Sequence, residues 1–145
     1  MPLVAEAKRA TGAPVTVPER EARVIEAALA ATREAAREAQ LPPFSERRVR
    51  SFFELQITAA KEIQNAPLAG PAGDAPPADL DTALRPALLR IGNRIAFLLQ
   101  RLPARIDSGP LEAFARQRLR TPGLSGGTRN ALVEAILALP EARRE

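Results

Sequence analysis

Four side chains stand where carbon would pack better. Wound as helix, the chain places Arg94 three residues after Ile91 and four before Leu98, on or beside an apolar stripe. Arg20 lies four residues before Val24 and continues a second stripe backwards. A cation there also meets the positive end of its own helix dipole, which mildly disfavours it. On a third helix Gln56, Ala60 and Gln64 fall in line, beside a face carrying Val49, Phe53 and Ile63. Lys8 closes a short opening segment, four residues past Val4. Buried amides and cations are costly unless partnered, and the stripes offer few acids to serve. Each residue also has a plain reading: Arg94 snorkelling from the stripe edge, Arg20 reaching water, Gln64 solvated near a helix end, Lys8 at the surface. Together, cations and an amide donor converging in a bundle describe a pocket for a small dianion, because guanidinium forks match carboxylates.

Composition narrows the chemistry further. No Cys and no His occur in the 145 residues, which excludes disulfides, thiol nucleophiles, imidazole acid–base catalysis and nearly every transition-metal site. Chemistry must rest on Arg, Lys, carboxylates, amides and hydroxyls. The net charge of +4 is carried almost wholly by arginine, since Lys8 and Lys61 are the lysines present. Most of these arginines read as a solvated basic surface. No apolar run is long enough to span a membrane, and the opening MPLVAEAKRA lacks the order of an export signal.

The elements that must position these residues are all helical. With 3% aromatics the core has to be Ala, Leu, Ile and Val, which suits closely packed helices. A short helix is expected over 3–9. Thr16 and Glu19 form a capping box around Pro18 and open a helix to about Gln40, with the stripe Val24, Ala28, Ala31 and Ala35 and with Ile25 and Leu29 alongside. Ser45 caps a helix over about 46–65. A Pro/Gly/Ala loop at 66–79 is expected to be mobile. Asp79 opens a long helix to about Arg101, with Leu80, Leu84, Ala87, Ile91, Ile95 and Leu98 in its stripe, Leu88 and Leu102 alongside, and Pro86 either tolerated near the first turns or marking a kink. Ser108 and Pro110 start a helix over 110–120, and a last helix runs from about Thr128 to Leu139. The expected architecture is an all-α bundle of five to six helices with one long central helix, as a single domain over 1–145.

The order FFELQITAAKEIQ over 52–64 resembles the F-F-x-x-Q-I-x-A-[ST]-K-x-I-Q signature of all-helical (AroQ-class) chorismate mutases, in particular their gamma, stand-alone and usually exported, subclass. IGNRIAFLL over 91–99 is similar to the Asn-Arg step of that family's following long helix. VAEAK (4–8) followed by VPEREARVI (17–25) is similar to its earlier pattern of hydrophobics ending in Lys, then a Pro-and-acid turn leading to Arg. The resemblance covers roughly residues 3–102.

This resemblance implies a cofactor-free, metal-free Claisen rearrangement of chorismate to prephenate, within the shikimate route to aromatic amino acids. Lys8 and Gln64 would donate to the ether oxygen on which negative charge builds, and Arg20 and Arg94 would hold carboxylates, Arg94 serving both catalysis and binding. Ala60 stands at a substrate-contacting position where the family usually has Ser or Thr, a departure expected to weaken binding. Relatives also carry another carboxylate-binding Arg upstream of the Lys. Met1 stands too close to Lys8 for it, so reduced activity is expected unless a partner chain completes the site or Met1 is an internal methionine. The resemblance further implies a homodimer in the periplasm or secreted; without an upstream export signal the chain would be cytoplasmic. Two rivals stand beside it: a fold relative that has lost catalysis, and a basic helical module for nucleic acid or an acidic partner, the latter disfavoured by glutamates interleaved among the arginines of 19–38.

Overall fold

The structure, a computed structural model, describes residues 2–12, 14–66, 79–103 and 105–140. Every regular element among them is helical: α1 Pro2–Thr11, α2 Pro18–Glu38, α3 Glu46–Asn65, a π-helical turn Leu80–Leu84 running directly into α4 Arg85–Leu99, α5 Ser108–Arg118 and α6 Gly126–Ala138. Most of the Pro/Gly/Ala loop anticipated at 66–79 lies outside the described residues. The fold is all-α, as the spacing predicts.

Helices α2, α3 and α4 form the centre. α2 packs on both α3 and α4, α3 also carries α6, α5 lies on α6, and α1 rests between α3 and the π-helical turn. The core gathers Ile25, Leu29, Phe44, Val49, Phe52, Phe53, Leu99 and Leu139. Phe52 and Phe53 meet edge to face at 5.4 Å, the arrangement their ring quadrupoles favour. On α2 the buried residues are Ile25, Ala28, Leu29, Thr32, Ala35 and Ala36, so the expected stripe is met at Ala28 and Ala35 and its flank at Ile25 and Leu29, while Val24 stays half exposed. Thr32 is tolerated because its hydroxyl donates to the Ala28 carbonyl at 2.7 Å and its own carbonyl accepts from Gln100 Nε2 at 3.3 Å.

Helix starts depart from the expected caps in an instructive way. Val17, extended at φ −137°, is the cap of α2, with Pro18 at the first helical position. The Thr16–Glu19 box therefore does not form; Glu21 instead accepts from the Val17 N–H at 3.3 Å. Ser45 precedes α3 without a side-chain cap bond, and Asp107, not Ser108, caps α5 through the Gly109 N–H at 3.1 Å. The long helix from Asp79 is broken into two parts. In an α-helix the Pro86 ring would strike the carbonyl of residue 82; here the turn widens, and Ala83 and Leu84 both donate to the Asp79 carbonyl, at 3.2 and 3.1 Å. The Asp79 side chain accepts from the Asp81 and Thr82 N–H groups and the Thr82 hydroxyl, which closes the start of this turn.

Two devices tie neighbouring helix ends together. Arg9 of α1 donates to the carbonyls of Gln64 and Ala66 at 3.1 and 2.5 Å, placing a cation on the negative end of α3. Ser125 caps α6 through the Thr128 N–H at 3.0 Å. Glu62 of α3 accepts from Ser125 N, Ser125 Oγ and Thr128 Oγ1 at 2.9, 3.1 and 2.5 Å. Ser125→Ala should therefore lower stability by about 1 kcal/mol, as lost N-caps do, read as a shifted denaturant midpoint at constant slope. The same bonds, that from Thr128 first, hold the Glu62 carboxyl below the usual glutamate range. Its contribution is thus present above the ordinary glutamate pKa and fades as pH falls through the depressed one.

Candidate active site

A cavity of about 240 Å³ opens among α1, α2, α3 and α4. Its walls are mostly apolar, from Val4, Phe53, Ile57, Leu88 and Ile95, and its mouth is rimmed by Val24 and Ile91, which remain about half exposed. Five charged side chains face it: Lys8, Arg20, Glu21, Lys61 and Arg85. Gln56, Ala60 and Gln64 form one stripe of its wall, and Gln64 is buried.

Lys8 is also buried, with Nζ donating to the Val15 carbonyl at 3.0 Å. Burial chiefly, and then the charges of Arg20 and Arg85, hold its pKa below that of an ordinary lysine. Arg20 is half-buried in the first turn of α2 and pairs with no carboxylate among the described residues. Arg85 opens α4, half-buried, with an ion pair to exposed Asp81 and with its Nε buried and lacking a hydrogen-bond partner. Burial and the charge of Arg20 press its pKa downward. Three cations are thus brought close enough to repel one another around an apolar chamber. Glu21 and Lys61 form a separate pair at 2.7 Å, about a quarter exposed on each side.

Of the residues expected from sequence, Lys8, Arg20, Ala60 and Gln64 reach this cavity together. Arg94 does not. It is exposed, does not line the cavity, and lies with its guanidinium 5.7 Å from the Phe97 ring centre. The cavity side of α4 is Arg85, Leu88, Ile91, Gly92 and Ile95; Arg94, one step of about 100° from Ile95, projects off that face. Arg85 is the arginine that sequence reading overlooks: it lies three residues before Leu88 on the cavity face, but a stripe traced by its apolar residues passes over it. The Glu21–Lys61 pair is overlooked as well; no local pattern announces a contact between α2 and α3.

Some surface arginines are matched by glutamates: Arg37 with Glu34, Arg50 with Glu26 and Glu46, Arg33 with Glu46, Arg116 with Glu112. At these positions, three of the four arginines lying on α2 and α3, the surface is mixed in charge. Among the described residues no group of acids could hold a metal ion, and no helix is long and apolar enough to cross a membrane.

Residues 3–65 match the family model of chorismate mutase type II. Over this segment the chain is similar to that family. The segment spans α1, α2 and α3, and so brings Lys8, Arg20, Ala60 and Gln64 within the chorismate mutase type II match, while Arg85 and Arg94 lie beyond it. Fold likeness continues past the segment: the secreted chorismate mutase from Yersinia pestis superposes with a TM-score of 0.72 at 20% identity, over 93% of this chain and 92% of that one. No curated protein sequence matches the chain.

Proposed function

We propose that the chain is a chorismate mutase that rearranges chorismate to prephenate without cofactor or metal. The observation that carries this reading is the meeting of Lys8, Arg20 and Arg85, with buried Gln64, around one apolar chamber. Chorismate bears two carboxylates on a compact carbon frame. Arg20 and Arg85 bind them through their guanidinium forks, and Val4, Leu88, Ile95 and their neighbours hold the ring. Clamped at both ends, the enolpyruvyl arm stays folded over the ring, so much of the entropic barrier is met before reaction. As the C–O bond breaks, charge gathers on the ether oxygen. Lys8 and Gln64 donate to it and favour the transition state over the ground state. No proton is transferred, so a chain without His or Cys suffices. Ala60 leaves its stretch of wall without the hydroxyl expected of relatives. The same reading takes 1–145 as one domain, active as a homodimer and, like the Yersinia pestis neighbour, secreted.

The purified protein should consume chorismate, followed by its falling ultraviolet absorbance. Because Lys8 must be charged and its pKa is lowered, kcat/KM should fall as pH rises, with a midpoint below that of an ordinary lysine. Once the dianion is bound its charge draws Lys8 upward again, so the limb in kcat should lie at higher pH than the limb in kcat/KM. A folded protein with no turnover, or an alkaline limb that survives loss of the Lys8 amine, overturns the proposal.

A further inference from the structure

Glu21 is the acid among the five charged side chains of the chamber, and an acid there has an obvious way to do harm. It follows Arg20 in sequence and shares a wall with Lys8, so its carboxylate can neutralise the cations a dianion needs. Both of its oxygens are engaged elsewhere: Oε1 accepts from the Val17 N–H at 3.3 Å, and Oε2 from Lys61 Nζ at 2.7 Å. We propose that Lys61 is a positioning residue that holds the Glu21 carboxylate aside, so that Lys8, Arg20 and Arg85 stay open to an incoming dianion. In kinetic terms this deepens the chorismate mutase reading and rests on it; its primary readout needs no substrate.

The arrangement supports the assignment in three ways. The pair bridges α2 and α3 inside the cavity wall rather than on open surface, where it is less screened. Lysine supplies a compact charge that takes one carboxylate oxygen and leaves the other to the helix start. Finally, Lys8 feels Glu21 and Lys61 with opposite sign, Glu21 raising its pKa and Lys61 lowering it, so Lys8 reports on where the carboxylate sits. The other charges facing it, Arg20 from α2 and Arg85 from α4, are untouched by the substitutions below.

A plain α2–α3 crosslink would also place these residues together, and a four-cornered cycle separates the two roles. Lys8 and Lys61 are the chain's only lysines, so Lys61→Met leaves Lys8 as a single, self-assigned lysine signal in carbon- or nitrogen-detected NMR. Its titration is followed in the wild-type chain, Glu21→Gln, Lys61→Met and the double variant. With Lys61 present, neutralising Glu21 should lower the Lys8 midpoint slightly; without Lys61 the carboxylate has turned onto Lys8, and the same substitution should lower it several times more. The KM for chorismate should rise roughly tenfold in Lys61→Met and recover most of that loss in the double variant, with kcat moving less. Should Lys61→Met fold poorly, Lys61→Gln supplies the same corner. Equal Glu21→Gln shifts with and without Lys61 overturn the proposal, whatever the turnover. A wild-type chain that shows the NMR coupling but no turnover overturns the chorismate mutase reading and leaves the positioning role standing.

Discussion

Exchange of Arg85 for alanine should lower kcat/KM for chorismate by roughly a hundred- to a thousandfold, the loss that follows removal of one preorganised donor. Arg85 faces the chamber from the first turn of α4, its Nε is buried without a partner, and it is close enough to Arg20 and Lys8 to depress the lysine's pKa. Its ion-pair partner, Asp81, is largely exposed, so the pair is weakly held and yields to a substrate carboxylate. Arg85→Lys should recover only part of the loss, since a point charge cannot grip both carboxylate oxygens. Arg94→Ala is the control that decides between two arginines. Lying on the surface over Phe97, it should change the rate by no more than about twofold. A larger loss from Arg94→Ala than from Arg85→Ala would restore the assignment made from sequence spacing and unseat the one made from the cavity. Steady-state kinetics on the two variants, followed by the same absorbance, is enough.

The second large effect is expected at Lys8, and it comes with the opposite sign in stability. Lys8→Met should lower kcat by roughly a hundredfold or more, because the charge that meets the developing oxyanion is gone. The same substitution should raise the midpoint of thermal unfolding. A buried ammonium crowded by Arg20 and Arg85 is a poorly solvated, mutually repelling charge, and a methionine of similar length fills the space without it. The pH dependence gives an internal check. Since the native Lys8 pKa lies below its unfolded value, the unfolded chain binds more protons between the two, and wild-type stability should rise with pH across that alkaline window. In Lys8→Met this rise should vanish. A methionine variant that is both inactive and less stable would mean that Lys8 supports the fold, and its placement as a catalytic cation would fail.

Much of this site is legible without coordinates because three of its walls are regular helices. On α3 the spacing of Gln56, Ala60 and Gln64 follows the 3.6-residue period without interruption, and the period alone puts them on one wall. Arg20 is legible for a different reason, since it continues an apolar stripe on which a cation needs an explanation, whereas Lys8 stands out only by the rarity of lysine and by the resemblance of its segment to the family pattern. The failures have physical causes as well. On α2, the count from Val24 finds Ala28 and Ala35 in the core, with Ile25 and Leu29 beside them, and misplaces Val24 itself, which lines the cavity and stays half exposed. On α4, the apolar count marks Leu84, Leu88, Ile91 and Ile95, which do line the cavity, and misses the arginine among them. Arg85 stands three residues before Leu88, on that same face, and a count made by apolar residues alone does not select a cation there. Contacts between helices, such as Glu21 with Lys61, have no local period and are invisible to this kind of reading.

The widened turn at 80–84 touches α1 on one side and becomes α4 on the other, so the helices bearing Lys8 and Arg85 lean on the same short hinge. The two cations repel each other across that turn, and on the proposed reading a bound dianion would offset the repulsion. Substrate therefore acts as a rivet across the joint, and the backbone there should tighten, its amides exchanging with deuterium more slowly, whenever the chamber is filled.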